Sequence, residues 1–111
     1  MLVLPIKRKW YEMILSGEKK EEYREIKPYY TSRFMGNGLL LWDGKPNAWG
    51  GMVIFRNGYS KNSPQFEAEV NLRIDKGRQE WGAEPGKTYY VLTIEKIYQI
   101  PAALRGGCYG S

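Results

Sequence analysis

The sequence predicts one domain of the α+β class with a curled or barrel-like sheet. Its length of 111 residues suits a single independently folding unit. Apolar residues near the start recur at helical spacing, whereas later segments are short apolar runs or alternate apolar with polar residues. Two early helices followed by four or five strands are typical of an α+β fold.

The first predicted element is a helix over Leu4–Ser16. Pro5 suits the first turn of a helix, and Gly17 suits the left-handed position just past a helix end. Lys7 and Tyr11 are expected along one edge of the apolar stripe of this helix. The stripe is formed by residues at helical spacing, namely Ile6, Trp10, Met13 and Ile14.

A strand is predicted next over Lys19–Ile26, and a short helix over Pro28–Met35. Alternation along the strand places Glu22 and Arg24 on the same face. Neither face of this strand is apolar, which is unusual so early in a small domain. The helix opens on its proline and ends at the glycine-rich segment 36–38.

The chain from residue 39 onward is predicted to be β structure. Leu39–Trp42 and Met52–Arg56 are short apolar runs between turn-forming residues, which indicates buried strands. Phe66–Ile74 alternates apolar with polar residues, so one face of that strand is expected in the core. Thr88–Ile97 is apolar on both faces in its middle, as expected of a central strand.

The domain is predicted to span residues 1–100, followed by a flexible, glycine-rich tail over residues 101–111. Cys108 is the single cysteine of the chain and cannot close an intramolecular disulfide, which fits a reducing compartment. The sequence contains no run of eighteen apolar residues and no signal-peptide pattern. A cytoplasmic protein that does not interact with membranes is therefore expected.

The chain contains no histidine. This excludes serine or cysteine nucleophiles activated by imidazole, zinc sites built on histidine, and nucleases that use imidazole as acid and base. Any chemistry must rely on lysine, carboxylate, tyrosine, hydroxyl or the single thiol groups. We expect neither a metal nor a cofactor.

The net charge is +5, from 17 basic and 12 acidic residues. A basic balance favours polyanionic partners such as nucleic acid. The excess is moderate and the two signs are interleaved, so a solvated surface also accounts for it.

The densest group of charges lies in residues 17–24. If the first helix packs on the sheet, Lys19, Glu22 and Arg24 point into the seam between helix and sheet. A carboxylate held between two cations stays ionised and orients them, so that the cations can face a phosphate. The alternative is a solvated strand edge with an ordinary Glu22–Arg24 pair, worth about 0–1 kcal/mol.

A second candidate segment is Arg56-Asn57-Gly58-Tyr59. A cation, an amide and an aromatic ring at a turn suit stacking on an unpaired base with a phosphate contact. An ordinary Asn-Gly turn followed by a partly buried tyrosine explains the segment equally well.

The spacing G-x-K-x-x-E-x-R, formed here by Gly17, Lys19, Glu22 and Arg24, resembles the signature of the ASCH domain family. Other segments are similar to small bacterial and phage single-domain members of that family, and together they cover most of residues 2–98. These segments are Leu4-Pro5-Ile6-Lys7, Lys27-Pro28-Tyr29-Tyr30 with Arg33, Phe55-Arg56-Asn57-Gly58-Tyr59 and residues 80–86.

The resemblance implies a PUA-like β-barrel of about five to six strands, with one capping helix and one short helix. It also implies a cleft between the first helix and the sheet that takes up RNA or a nucleotide. The family signature would place Lys19, Glu22 and Arg24 in that cleft. The sequence pattern adds six flanking candidates for nucleic-acid binding: Lys7, Tyr11, Tyr30, Arg33, Arg56 and Tyr59.

The family also includes small amidohydrolases that act on acetylated cytidine, in which a lysine activates a threonine nucleophile. Lys19 matches that lysine, whereas Glu22 stands at the threonine position and cannot form the same alkoxide. Other relatives are ribonucleases that use tyrosine, lysine and serine, roles that Tyr30, Lys19 and Ser32 would fill here.

Three functional hypotheses follow. The first is an RNA- or nucleotide-binding module with a basic cleft. The second is a metal-independent hydrolase acting on RNA or a modified nucleoside, with Lys19 as base or electrostatic stabiliser and Glu22 as general acid or base. The third is a small adaptor that binds another protein.

Overall fold

The computed structural model describes residues 1–98 of the chain, which contain five strands, two α-helices and one 3₁₀ turn at Gln79–Trp81. The predicted tail at residues 101–111 lies outside the described residues. In chain order, the elements are β1 (Leu2–Ile6), α1 (Arg8–Leu15), β2 (Glu21–Glu25), α2 (Pro28–Gly36), β3 (Gly51–Asn57), β4 (Gln65–Lys76) and β5 (Thr88–Tyr98).

The five strands form one mixed sheet in the order β1-β3-β4-β5-β2. β1 runs parallel to β3, and the remaining neighbours are antiparallel. The sheet curls so that its two edge strands face each other. Across the gap between them, the Arg24 side chain of β2 reaches the backbone oxygen of Pro5 in β1 at 2.9 Å. The predicted α+β class is confirmed, and the sheet has the shape of a half-barrel.

The main core lies between the concave face of this sheet and the two helices. β4 contributes Phe66, Ala68, Val70 and Leu72, which are buried, whereas Ile74, the last apolar position of the predicted alternating pattern, is 48% exposed because the strand extends past the core there. Tyr11 and Ile14 are the buried residues of α1, and α2 buries Phe34. Burying a side chain such as Phe34 contributes about 1.5–3 kcal/mol relative to leaving it exposed, so these contacts fix both helices on the sheet.

The predicted helix over Leu4–Ser16 begins too early, because residues 2–6 form strand β1. Leu2, Leu4 and Ile6 are buried while Val3 and Pro5 are less so, which is a period of two and not of 3.6. Proline is tolerated on an edge strand because its missing N–H is not needed for pairing on the open side.

The predicted strand over Leu39–Trp42 is also wrong. Leu39 and Leu40 are buried, but they enter the core from a loop. Leu41 N–H donates to the backbone oxygen of Lys45 at 2.8 Å, which closes a turn, and Trp42 is 87% exposed. The apolar run is therefore part of a loop, and it is apolar because Leu39 and Leu40 pack into the core.

The other predicted elements are confirmed, with strands β2 to β5 differing from the predicted bounds by a few residues. Gly17 has φ of 84°, in the left-handed region predicted for the residue after the first helix. Among residues 1–98, neither helix has the length and apolar character needed to span a membrane.

Candidate functional site

A cleft of about 440 Å³ opens where the two edge strands of the half-barrel face each other. One wall comes from the end of β1 and the start of α1, and the other from β2. The end of β3 and the turn after β4 complete it. Its lining residues are Pro5, Ile6, Lys7, Arg8, Trp10, Glu22, Tyr23, Arg24, Glu25, Tyr30, Asn57, Gly58, Tyr59, Trp81, Gly82 and Tyr89.

Glu22 lies between two cations at the base of this cleft. Its Oε1 is 3.0 Å from Lys19 Nζ, and its Oε2 is 3.0 Å from Arg24 Nη1. The three side chains are 7%, 0% and 11% exposed, in the order Glu22, Lys19, Arg24. The carboxylate bridging two cations that the sequence predicted is therefore present, and it is buried and not a solvated strand edge.

The ammonium group of Lys19 is buried and surrounded by other residues of the described part of the chain. It donates to the backbone oxygen of Trp81 and pairs with Glu22. It also lies 4.5 Å from the centroid of the Trp10 ring and 5.1 Å from that of Tyr23. Burial lowers the pKa of Lys19, and the adjacent Glu22 carboxylate partly opposes that shift. Lys19 consequently supports Glu22 from behind and does not line the cleft.

Arg24 makes three hydrogen-bonding contacts around the edge of β2. Its Nη1 donates to the backbone oxygen of Tyr23 at 2.8 Å, in addition to pairing with Glu22, and its Nη2 donates to Pro5. The N–H of Tyr23 donates to Glu22 Oε1 at 3.2 Å. The backbone of Tyr23 on this edge strand is thus satisfied by the side chains on either side of it, which blocks pairing with a further strand.

The mouth of the cleft carries Lys7 and Arg8, both exposed, at the start of α1. Within residues 1–98, Lys7 makes no side-chain cap for this helix, and the first turn contains no acidic residue. Cations at a helix N-terminus oppose the helix dipole, whereas an anion there is favoured. This end of the cleft is therefore electrostatically suited to an anionic group.

Aromatic rings border the same space. Tyr59 is 88% exposed in the turn after β3, and Tyr30 projects from α2 with its ring centroid 5.8 Å from the guanidinium carbon of Arg24. Trp10 and Trp81 are half-buried on the opposite side. Exposed rings beside cations are the usual surfaces on which unpaired bases stack.

Three of the predicted flanking residues do not line the cleft. Tyr11 is in the main core, with its ring centroid 5.1 Å from that of Phe66. Arg56 points toward β4, where its Nε donates to Gln65 at 2.9 Å. Arg33 is exposed on α2. The other three, Lys7, Tyr30 and Tyr59, do line the cleft together with Glu22 and Arg24.

Sequence reasoning missed the contribution of Trp10 and of the Trp81-Gly82 turn. Gly82 has φ of 102°, and a Cβ placed on it would lie 3.0 Å from the Trp10 ring. The turn therefore packs directly on Trp10 and brings the Trp81 carbonyl to Lys19. The Glu80-Trp81-Gly82 segment, with glycine after tryptophan, was the available signal.

The described residues contain no group of three or more metal-ligating side chains. The arrangement can bind an anion through Arg24 and the mouth cations, and it can present the Glu22 carboxylate to a bound molecule. No family model, curated protein or solved structure matches this chain.

Proposed function

We propose that the cleft binds single-stranded RNA or a nucleotide, with a phosphate held by Arg24, Lys7 and Arg8. The observation that carries the proposal is the net charge of the buried Lys19–Glu22–Arg24 cluster at the base of the cleft. With all three groups ionised, Lys19, Glu22 and Arg24 have a formal charge of +1, and each is at most 11% exposed. A buried excess of positive charge is costly unless an anion offsets it, and the cleft gives an anion access.

The aromatic border supports a nucleic acid over a simple anion. Tyr30 and Tyr59 offer ring faces for an unpaired base, next to the cations that would take its phosphate. Helix α1 has only eight residues and uses one face in the core, so reading of a duplex groove by this helix is not favoured. We extend the proposal to the fold, as a PUA-like barrel with this cleft at its seam.

Fluorescence anisotropy of a labelled hexaribonucleotide, in EDTA and over a range of salt concentrations, tests the proposal. Wild type is expected to bind with affinity that falls as salt rises. The double variant Lys7→Gln/Arg8→Gln should bind more weakly, and its salt slope should be smaller by about 0.7 for each phosphate that it no longer neutralises.

Lys45→Gln is the matched control, because Lys45 is an exposed lysine in the loop before β3, at the other end of that strand from the cleft. Both mutated cleft residues are exposed, so the fold should be unaffected. Equal affinities for wild type and the double variant would remove the cleft from RNA binding.

One observation favours a second function, a metal-independent hydrolase acting on RNA or a modified nucleoside. A buried lysine with a lowered pKa next to a carboxylate is typical of catalytic sites. Because Lys19 lies behind Glu22, Glu22 is the group that would meet a substrate, as general acid or base. Release of product from the hexaribonucleotide in EDTA, abolished in Glu22→Gln under conditions where circular dichroism shows the variant to be folded, separates this function from binding alone.

A further inference from the structure

Helix α2 carries an aromatic and cationic pair outside the cleft, which we call the α2 platform: Tyr29 and Arg33. The guanidinium carbon of Arg33 lies 3.5 Å from the centroid of the Tyr29 ring. Its Nη1 also donates to the backbone oxygen of Tyr29 at 3.2 Å. Two contacts between the same residues hold the guanidinium over the ring in a defined position.

The α2 platform adjoins the cleft through Tyr30. The rings of Tyr29 and Tyr30 meet edge to face with centroids 5.0 Å apart, and Tyr30 lines the cleft. Lys27 Nζ lies 5.6 Å from the Tyr30 ring centroid on the same stretch of surface. A row of aromatic and cationic groups therefore leads from Arg24 in the cleft, past Tyr30, to Arg33 on the outside.

Packing of the fold accounts for Tyr30, which lies against the core, but not for Tyr29 and Arg33. Phe34 is the residue with which α2 enters the core, whereas Tyr29 is 52% exposed and Arg33 is exposed. Among residues 1–98, no carboxylate lies within ion-pair distance of Arg33. The guanidinium thus keeps a positive charge and N–H donors for a molecule outside the chain.

We propose that the α2 platform binds the nucleotide adjacent to the one in the cleft, so that the ligand is a single RNA strand and not a free nucleotide. The inference rests on the proposed function of the cleft. The base of the adjacent nucleotide stacks on the platform, and Arg33 donates to the phosphate that links the two nucleotides. Stacking on rings and guanidinium planes is how unpaired bases are held without reading their sequence.

The test compares two probes on the full chain: a labelled hexaribonucleotide of mixed sequence, and the four ribonucleoside 5′-monophosphates as competitors. For wild type, the hexaribonucleotide is expected to bind more tightly than any monophosphate. In Tyr29→Ala and in Arg33→Gln, the ratio of the two affinities should fall roughly ten- to hundredfold, as expected when one base no longer stacks. Arg33→Gln should also reduce the salt slope of hexaribonucleotide binding by about 0.7.

Trp49→Ala is the control for non-specific stacking, because Trp49 is 93% exposed in the loop before β3. The cleft lies beyond the other end of that seven-residue strand, on the order of 20 Å away. Thermal melting checks that each variant is folded.

Wild-type binding of both probes, with an unchanged affinity ratio in Tyr29→Ala and Arg33→Gln, overturns the platform and leaves the cleft proposal standing. If wild type binds neither the hexaribonucleotide nor any monophosphate, both the platform proposal and the cleft proposal are overturned. A fall in the ratio in Trp49→Ala equal to that in Tyr29→Ala also overturns the platform, because stacking would then not be specific to α2.

Discussion

Arg24 on β2 donates from Nη2 to the backbone oxygen of Pro5 on β1 at 2.9 Å. The two residues belong to the opposite edges of the five-stranded sheet, so this hydrogen bond joins edges that the strand order leaves apart. The same guanidinium pairs with Glu22 and caps the Tyr23 carbonyl. A residue suited to binding phosphate therefore also holds the half-barrel together.

Arg24→Lys tests this dual role, because lysine keeps the charge but has a single nitrogen in place of the planar fork. A lysine amino group cannot reach the Pro5 oxygen, the Tyr23 oxygen and the Glu22 carboxylate at the same time, as the two terminal nitrogens of arginine do. We expect the free energy of unfolding in urea to fall by roughly 1.5–3 kcal/mol, the contribution of a hydrogen bond to a charged group.

Arg78→Lys is the matched control, because Arg78 is 61% exposed and its guanidinium makes only surface contacts among the described residues, an ion pair with Glu80 at 3.4 Å and an approach of 4.9 Å to the Trp81 ring centroid. Its change should stay within about 0.5 kcal/mol. An equal decrease in the two variants would show that the bridge to Pro5 contributes nothing to stability.

The cluster at the base of the cleft predicts an order of stability for two substitutions. Glu22→Gln leaves Lys19 and Arg24 buried together without a counter-charge, which is expected to cost roughly 3–5 kcal/mol. Lys19→Met leaves Glu22 and Arg24 as a neutral pair and fills the same space with an apolar chain. Its cost should be at least about 1 kcal/mol smaller.

Urea unfolding at neutral pH measures both values. The opposite order would mean that the hydrogen bond from Lys19 to Trp81 outweighs the charge balance of the cluster.

The lowered pKa of Lys19 predicts how stability depends on pH. Burial lowers this pKa in the folded protein below the ordinary value of 10.5, to which it returns on unfolding. Between the two pKa values the unfolded chain binds more protons, so the contribution of Lys19 to the free energy of unfolding rises with pH. The Lys19→Met variant lacks this contribution.

The quantity to measure is the unfolding free energy of wild type minus that of Lys19→Met, which should increase as the pH rises toward 10.5, the ordinary pKa of lysine. Burial also raises the pKa of Tyr23, which lowers stability as the pH passes the ordinary tyrosine range. Lys19 Nζ lies 5.1 Å from the Tyr23 ring centroid, so both proteins are compared in a Tyr23→Phe background, which removes this effect. A difference that is constant over this range would contradict a lowered pKa for Lys19.

Much of the fold could be predicted from local pattern alone. β4 alternates apolar with polar residues and occupies the middle of the sheet, so its pattern predicted the buried face over Phe66–Leu72, although Ile74 is exposed. β1 was missed because Ile6 fits both a strand of period two and the helical stripe that continues with Trp10. The parallel partner that decides between them is β3, some fifty residues later in the chain.

The residues that form the candidate site could be predicted from the sequence, but their burial could not. The spacing of Lys19, Glu22 and Arg24 placed the three together, and their ion pairs follow from that. The burial of Lys19 could not be predicted, since it depends on a backbone carbonyl 62 residues away at Trp81. The Trp81-Gly82 pair marks a turn, but local sequence does not indicate that this turn contacts Lys19.

The residue at position 22 leads to a prediction about acetylated cytidine. Under the predicted resemblance to the ASCH family, position 22 corresponds to the threonine nucleophile of its amidohydrolases, and Glu22 cannot form the alkoxide. A carboxylate can still act as a base toward water, with help of typically about 10²–10⁴-fold. That route lacks the covalent intermediate that divides the barrier into two steps. Wild type is therefore expected to hydrolyse acetylated cytidine slowly or not at all.

Glu22→Thr, with Glu22→Val as a control of the same shape without the hydroxyl, separates the two routes. Both variants remove the carboxylate 3.0 Å from Lys19 and 3.0 Å from Arg24, so both are expected to lose stability and are assayed where circular dichroism shows them folded. Removal of the carboxylate also frees Lys19 from its ion pair, so that its amino group becomes available to a hydroxyl at position 22. Turnover of acetylated cytidine, followed by release of cytidine, should then rise in Glu22→Thr above both wild type and Glu22→Val. Wild-type turnover of several per second that threonine does not improve would instead identify Glu22 as the working base of an enzyme.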